Sequence, residues 1–299
     1  GHLGRHHARL LSAMEGVRLS HVVDTIPDRA AEVAIASGAA PLTDYRQLLD
    51  QVDAVVVAVP TEAHAEIATP FLERGIPVLV EKPMSRTLED AERMLEAAAR
   101  GGAMLAVGHT ERHNPAVAVA LRLVSSPRFI EVHRLSAFPD RSLDIDVVFD
   151  LMIHDLDVIL AIVRSEVTAI EAVGVPVLTP RYDIANVRLR FASGCIANIT
   201  ASRISRDRVR KIRFFQPDAY LSVDYASQEV EGWRLVRGGA RPDIQGGPVP
   251  VERDEPLRRE LADFVRAART GGAPLVDGEA GRRALELASQ IAARIESVG

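Results

Sequence analysis

The sequence has a single cysteine, and this scarcity limits both its chemistry and its setting. Cys195 cannot form a disulfide within the chain, which is typical of proteins from a reducing cytoplasm. Because Cys195 falls in a segment predicted to be a strand, we expect its thiol to be packed and not reactive. We therefore predict a cytoplasmic protein.

Long hydrophobic runs are also lacking. The longest uninterrupted apolar segment covers residues 54–60, which is far below the roughly 18 residues that span a membrane. The first residues do not combine a basic start with an apolar core, so we expect no signal peptide and no membrane partner. The sequence begins at Gly1 without a methionine, and we expect that residues upstream of Gly1 are missing from it.

An excess of positive charge is lacking as well. Lysine and arginine total 36 against 41 aspartates and glutamates, which gives a formal net charge of −5. Nucleic acids and anionic membranes attract basic surfaces, so the charge balance argues against both as partners. The chain has 299 residues, which is too long for a single small domain. At roughly 100–200 residues per domain, this length predicts two domains.

The first hundred residues alternate between short apolar strands and longer helices. The predicted strands cover 19–23, 54–59, 77–80 and 105–107. Thr87 predicts a helix N-cap and Gly101-Gly102 the end of that helix, whereas Pro70 predicts a kink or break in the helix over 62–74. Strands that alternate with helices indicate a doubly wound parallel sheet.

After about residue 110 the pattern changes to strands with alternating apolar and polar residues. Such strands are typical of an antiparallel sheet with one open face. A helix is predicted over 147–163, two more helices close the chain, and the Gly- and Pro-rich segment 238–250 predicts a loop. The predicted strands cover 129–138, 185–191, 196–202, 211–215 and 229–237.

The opening Gly1-His2-Leu3-Gly4 reads as the second half of a G-x-G-x-x-G motif followed by a helix. Glycines let the backbone approach a pyrophosphate, and the N–H groups of the helix N-terminus bind the anion. Asp24 stands at a predicted strand end 20 residues past Gly4, where an acid binds the ribose hydroxyls of NAD and repels the extra phosphate of NADP. Together these residues predict NAD binding.

Two further motifs follow predicted strands directly, at the edge where such sheets bind ligands. Pro60-Thr61 precedes His64; Thr61 is expected to cap the next helix, and His64 is either functional or a surface residue. Glu81-Lys82-Pro83 follows the strand over 77–80. Lys82 is either a solvated loop lysine or, if desolvated, a usable acid or base.

Asp150, His154 and Asp157 are spaced to project from one side of the predicted helix over 147–163. Their short polar side chains interrupt an apolar sequence. The stripe is either a solvated face or the lining of a cavity, and we favour the cavity.

In their order along the chain, these motifs resemble the glucose–fructose oxidoreductase/inositol dehydrogenase (Gfo/Idh/MocA) family. The resemblance also covers the stretch Asp277-Gly278-Glu279-Ala280-Gly281. It implies an α/β protein with an NAD-binding Rossmann domain over 1–110, whose first strand is missing from the sequence. It also implies a substrate-binding α/β domain over 111–299, with a large, mostly antiparallel open sheet that often forms the oligomer interface, so a homodimer or homotetramer is expected.

The resemblance also implies the site residues. Lys82, Asp150 and His154 are expected to be catalytic, the Lys82-Pro83 peptide to be cis, and no metal to be involved. The expected cofactor-binding residues are Gly1, His2, Leu3, Gly4, Asp24, Pro60, Thr61, His64, Glu81 and Lys82. The expected substrate-binding residues are Arg112, Asn114, Asp157, Arg203 and Arg206.

Residues 109–115 and 199–206 are similar to bacterial members that oxidise the 3-hydroxyl of UDP-N-acetylglucosamine on the way to lipid A. The arginines at 203, 206, 208 and 210 suit a diphosphate, or they line a solvated or intersubunit strand face. The sequence therefore predicts an NAD-dependent sugar dehydrogenase. An inositol-type polyol or simple-sugar dehydrogenase and an NAD-binding regulator without catalysis are the alternatives.

Overall fold

A computed structural model describes residues 1–138, 145–237 and 243–297. The chain forms two compact units, which are described separately. The first contains residues 1–110 and 255–282, and the second contains residues 111–254 and 283–299. Segment 255–282 thus packs with the N-terminal unit, in contrast to the simple division at residue 110. Among the described helices, none is both long and apolar enough to cross a bilayer.

The first unit has the alternating strands and helices that the sequence predicts. Its helices are α1 (His2–Ser12), α2 (Pro27–Ser37), α3 (His64–Leu72), α4 (Leu88–Gly101) and α7 (Pro256–Thr270), and α8 (Gly278–Glu296) begins in it. Its strands are β1 (His21–Val23), β2 (Ala40–Leu42), β3 (Val55–Val57), β4 (Val78–Glu81) and β5 (Leu105–Gly108). β1 pairs with β2, and β3, β4 and β5 pair in that order, all in parallel.

The helix ends of the first unit follow the sequence signals closely, with one exception. The Thr87 hydroxyl accepts a hydrogen bond from Asp90 N–H, and Gly102, at φ 63°, ends α4 in the left-handed conformation. α3 continues through Pro70 and ends at Leu72, so of the predicted kink or break at the proline, the break is wrong. Pro70 removes a single backbone N–H donor, and the Glu73 N–H still donates to the Thr69 carbonyl beyond it.

Helices α1 and α7 cover one face of the strands β4 and β5 in the first unit. Leu10 and Leu11 of α1 and Leu261 and Phe264 of α7 pack in one buried cluster with strand residues Leu79 and Ala106. Burial of apolar area at roughly 25 cal/mol per Å² is what stabilises this packing. Segment 255–282 therefore supplies part of the core of the first unit.

The second unit is built on an eight-stranded sheet. Its order is β13-β12-β11-β10-β6-β9-β8-β7, and every neighbouring pair is antiparallel except β6 and β9. The strands are β6 (Phe129–Leu135), β7 (Val167–Val175), β8 (Ile184–Phe191), β9 (Ile196–Ser202), β10 (Val209–Phe215), β11 (Ala219–Asp224), β12 (Glu229–Val236) and β13 (Asp243–Val249). The predicted mostly antiparallel sheet is confirmed.

One face of this sheet packs on helices, and its strands alternate accordingly. Along β8 every second side chain, from Ala185 to Phe191, is buried. These side chains meet α5 (Pro115–Leu123), α6 (Ile153–Val163) and the later turns of α8 in one core. Cys195 lies in this core, and its burial raises the pKa of the thiol to about 11, so the expected inert, packed cysteine is confirmed.

Two predictions in the second unit need correction. Segment 243–249 is strand β13, paired antiparallel with β12, and not part of a loop; residues 238–242 lie outside the described residues. The predicted helix over 147–163 divides into a π-helical turn, Val148–Met152, and α6. In the π turn the Ile153 N–H donates to the Val148 carbonyl, five residues earlier. π turns of this kind occur frequently at functional sites.

Candidate functional site

The first turn of α1 and the end of β1 lie together at one edge of the first unit. Gly1 is the N-cap of α1, and its backbone nitrogen lies 3.2 Å from a carboxylate oxygen of Asp24, the residue after β1. The structure thus brings the glycine motif and the predicted ribose-binding acid together. His2 and Leu3 in the first turn are exposed.

The geometry of these residues fits a dinucleotide. In the described part of the chain, nothing lies within 4 Å of a Cβ placed on Gly1 or Gly4. The space beside both glycines is therefore open, as the close approach of a pyrophosphate to the backbone requires. The first N–H groups of α1 lack partners within the helix, and its first turn carries no acid, so this helix end favours an anion.

Asp24 is held in its charged form. Its partial burial raises the pKa, but hydrogen bonds to the carboxylate, among them one of 3.0 Å from the Ile26 N–H, more than reverse this effect. The net pKa is lower than usual. An ionised carboxylate at this position accepts hydrogen bonds from ribose hydroxyls.

The residues after β3 form a turn that ends in a buried histidine. Pro60 is exposed, and Thr61 begins a 3₁₀ turn that precedes α3, whose N-cap is Ala63; the expected capping of a helix by Thr61 is wrong. His64 is 1% exposed, with Nδ1 3.1 Å from the Pro83 carbonyl oxygen and Nε2 3.0 Å from that of Val59. Its imidazole thus contacts backbone carbonyls, and it is not the surface residue of the alternative reading.

The residues at the end of β4 and just after it differ in their surroundings. Glu81 is the last residue of the strand and is buried, and its carboxylate faces His7 of α1. Lys82 is half-buried and so differs from a fully solvated loop lysine. The Lys82-Pro83 peptide is cis, as the resemblance implied.

In the second unit, Asp150 lies within the π turn, and His154 and Asp157 lie on the first turns of α6. Asp150 and His154 are half-buried and Asp157 is buried. The predicted stripe assumed one uninterrupted α-helix. His154 and Asp157 do lie on an α-helix, whereas the π turn places Asp150 at a different angle from the one that α-helical spacing would give. The Asp157 carboxylate accepts a hydrogen bond of 3.2 Å from Arg112.

Two residues expected at the substrate have their polar groups directed to the protein. Asn114 is 1% exposed; its oxygen caps α5 through Ala116 N–H, and its amide donates to the Tyr225 carbonyl. Arg203 is fully buried, with Nε 2.9 Å from an Asp183 oxygen. These internal bonds hold the side chains of Asn114 and Arg203 in place within the second unit. Arg206, by contrast, is exposed.

Two family descriptions match the chain. The NAD-binding Rossmann fold of the oxidoreductase family matches residues 1–109. The GFO/IDH/MocA C-terminal domain matches residues 122–217.

The chain belongs to the Gfo/Idh/MocA oxidoreductase family. It is an NAD-dependent dehydrogenase, and the fit of the α1 N-terminus and Asp24 to a dinucleotide agrees with this assignment. NAD would be held by Gly1, Gly4 and Asp24, at the pyrophosphate and the ribose.

Relatives of known activity support the same family. The UDP-N-acetylglucosamine 3-dehydrogenase of Acidithiobacillus ferrooxidans is 35% identical over 99% of this chain and 95% of its own length. A solved structure of that protein superposes with a TM-score of 0.92. Inositol 2-dehydrogenase 2 of Saccharopolyspora erythraea is 35% identical over 58% of this chain and 54% of its own length. A levoglucosan dehydrogenase in complex with NADH and L-sorbose, 20% identical, shares the fold with a TM-score of 0.87, covering 99% of this chain and 95% of its own.

The structure also reveals polar residues that the sequence did not indicate. His7 and Glu260 are buried on α1 and α7, in the same unit as Glu81. Neither belongs to a recognisable motif, and each falls in an amphipathic helix where a polar residue is ordinary. The one sequence feature that could have identified these two residues is their spacing, which places them on the apolar face of each helix.

Proposed function

We propose that this dehydrogenase oxidises the 3-hydroxyl of UDP-N-acetylglucosamine to a ketone. When bound, NAD accepts the hydride of the reacting carbon. The proposal is supported by the similarity to a UDP-N-acetylglucosamine 3-dehydrogenase, which extends over nearly the full length of both chains. Such a product would supply the 3-keto sugar from which amide-linked lipid A is made.

The identity of residue 82 is the observation that carries the chemistry. The chain has only two lysines, Lys82 and Lys211, and arginine supplies all its other cationic side chains apart from histidine. Arginine cannot lose its proton under ordinary conditions, whereas a lysine in a partly buried site can. A lysine at the half-buried end of β4 is therefore explained by proton transfer better than by charge alone.

The remaining catalytic roles follow from the residue types. Lys82 or His154 would take the proton from the reacting hydroxyl, since lysine and histidine side chains both act as general bases in enzymes. Asp150 would orient that base through its negative charge. Its place in a π turn agrees with a functional role.

The nucleotide part of the substrate would be held by exposed arginines of the second unit. Arg206, Arg208 and Arg210 are all exposed and lie within five residues of one another. Guanidinium groups bind phosphate oxygens through paired N–H donors. We propose Arg206 as the contact to the diphosphate, and we propose that the open sheet forms a homodimer or homotetramer.

The decisive experiment follows the appearance of NADH at 340 nm with NAD and UDP-N-acetylglucosamine. Parallel reactions contain myo-inositol and free glucose. A ketone-trapping aminotransferase is added because oxidation of a secondary alcohol is uphill. Turnover with the nucleotide sugar alone is the expected result, and turnover with only a free polyol or sugar would contradict the substrate proposal.

A second candidate is an inositol-type polyol dehydrogenase. The matches to inositol 2-dehydrogenases favour it, although they cover only part of the chain. The same assay separates the two candidates, and NAD binding without turnover on any of the three would indicate a regulator.

A further inference from the structure

Behind Lys82 the first unit contains a cluster of buried ionisable side chains: His7, Glu81 and Glu260, here called the Glu81 cluster. Their relative exposures are 3%, 6% and 2%. Buried carboxyl groups are costly unless they are paired or protonated. Two buried carboxyl groups and a buried imidazole in the unit that carries Lys82 therefore require a physical explanation.

Glu81 connects this cluster to the backbone of Lys82. One carboxylate oxygen, Oε1, lies 2.7 Å from Nε2 of His7, and the other, Oε2, accepts the backbone N–H of Lys82 at 3.2 Å. A hydrogen bond to a carboxylate is stronger than one between neutral groups. The charge of Glu81 thus fixes the peptide that carries the lysine side chain.

The neighbouring strand leaves room for this carboxylate. Gly108 of β5 pairs directly with Glu81 of β4. A Cβ at position 108 would lie 3.1 Å from Oε2 of Glu81. Glycine at this position lets the carboxylate lie against the strand and reach the Lys82 N–H.

Glu260 keeps the cluster from carrying two negative charges. Among the described residues, neither of its carboxylate oxygens has a hydrogen bond of normal geometry. Burial, followed by the charge of Glu81, raises the pKa of Glu260 well above its usual value; Asp263 adds to this, and the Thr110 hydroxyl opposes it. A like charge nearby disfavours the ionised form of a buried carboxyl group, so the proton is held on Glu260.

His64 holds the same segment from its other end. Its Nδ1 lies 3.1 Å from the carbonyl oxygen of Pro83, the residue after Lys82. Burial lowers the pKa of His64, against the raising effect of its carbonyl partners. A neutral imidazole has one N–H, which donates to the carbonyl of Pro83 or to that of Val59.

We propose that Glu81 and His64 are positioning residues for Lys82, Glu81 through the N–H of Lys82 and His64 through the carbonyl of Pro83, and that His7 and Glu260 maintain Glu81 as a single buried negative charge. The proposal rests on the proposed function, in which Lys82 exchanges a proton with the substrate. It assigns to Glu81 and His64 a role that does not require contact with NAD. A displacement of about 1 Å at a reacting group costs on the order of 100-fold in rate.

Kinetics of Glu81→Gln give the first test. The amide keeps the shape but lacks the charge, so kcat should fall about 100-fold while the Kd for NAD stays within threefold. Glu15→Gln, at an exposed position of the same unit, is the matched control and should leave both values unchanged. A raised Kd for NAD with unchanged kcat, or no change in either, would overturn the proposal.

Gly108→Ala tests the same geometry in a folded protein if Glu81→Gln does not fold. The new methyl group displaces the Glu81 carboxylate by a few tenths of an ångström and should lower kcat without changing NAD binding.

Glu260→Gln keeps the neutral form of that side chain and should retain kcat at neutral pH within twofold. A loss as large as that of Glu81→Gln would show that Glu260 works as a charged group and would overturn its assigned role.

The pH dependence of stability tests the proton on Glu260. The native protein holds this proton above the ordinary carboxyl range, whereas the unfolded chain has already lost it. Stability therefore falls as pH rises from that range towards the raised pKa of Glu260. Glu260→Gln lacks this loss, so the difference in unfolding midpoint between variant and wild type should increase with pH. A difference that is constant between pH 5 and 9 would contradict the assignment.

A readout that needs no turnover separates this inference from the proposed function. Reductive methylation with ¹³C-formaldehyde labels only Lys82, Lys211 and the amino terminus, and Lys211→Met assigns the lysine signals. Glu81→Gln should shift the Lys82 resonance and its titration, and leave that of Lys211 unchanged. An unchanged Lys82 resonance overturns the positioning role, whereas a shifted resonance in a protein whose Lys82→Met variant keeps its activity means that the proposed function has failed.

Discussion

Arg203 and Arg206 are three residues apart in the chain, and their environments are opposite. Arg203 is fully buried, and its guanidinium bonds to Asp183, the Thr179 hydroxyl and the Ile145 carbonyl. Arg206 is exposed. The sequence shows only two similar arginines after a predicted strand. It cannot distinguish them, because the burial of Arg203 depends on residues 20 or more positions away.

The two arginines should therefore respond differently to removal of their charge. Arg203→Met leaves Asp183 buried without its partner and should destabilise the protein by about 3–5 kcal/mol. Arg206→Met should change stability by less than about 0.5 kcal/mol and raise the KM for the nucleotide sugar. Denaturant unfolding and steady-state kinetics measure the two effects. Equal stability of both variants would contradict the internal role of Arg203.

Lys82→Met tests the proton transfer itself. Loss of a positioned general base should lower kcat by about 10²–10⁴-fold, with NAD binding retained. Lys211→Met is the matched control, since Lys211 lies on β10 with Asp224 as a surface partner at 3.4 Å, and it should keep full activity. A loss below tenfold for Lys82→Met would remove Lys82 from the mechanism.

Site residues were predictable from the sequence where they belong to a spaced motif. Gly1 and Asp24 lie together, as the glycine motif and the acid at the following strand end predicted. His7 and Glu260 were missed, because their burial beside Glu81 depends on the packing of two helices about 250 residues apart in the chain. No local pattern reports that kind of proximity.

Among the elements, strands and helices with strong periodicity were predicted and irregular ones were not. β13 contains two glycines and a proline, so its composition predicts a loop, and pairing with β12 overrides that local preference. The π turn at 148–152 was missed for a related reason, since its residues are as apolar as the helix that follows. The extra residue in such a turn leaves no mark in composition.

Helix α7 should contribute strongly to the stability of the first unit. Phe264 is 3% exposed and packs on Leu79 and Ala106 of the sheet. Phe264→Ala should cost about 3–5 kcal/mol of unfolding free energy through the lost burial and the cavity left behind. Urea unfolding measures this, and Val265→Ala, at the half-buried neighbouring position, should cost clearly less. Equal losses would mean that α7 packs loosely.

For the whole molecule, the sequence predicted two units but not the path of the chain between them. A composition change near residue 110 marks the end of the first run of strands and helices. The return of residues 255–282 to the first unit was not predictable from that change. The pattern of an amphipathic helix indicates that one face is buried, but it does not identify the element against which that face packs.

A fragment of residues 1–110 should therefore not fold stably. It lacks Leu261 and Phe264, which cover apolar residues of α1, β4 and β5. The same fragment joined by a flexible linker to residues 255–282 should regain cooperative unfolding, as followed by circular dichroism. Cooperative unfolding of 1–110 alone would show that α7 is dispensable to the core of this unit.

The interrupted first unit also sets an order of events during synthesis. Residues 111–254 separate its two parts, and at about 5–20 residues per second the ribosome takes roughly 7–30 s to make that stretch. During this interval the apolar surface that α7 will cover is open to solvent and to chaperones. The Glu81 carboxylate meanwhile has no Glu260 beside it, so the buried cluster of the finished protein forms only when residues 255–282 emerge.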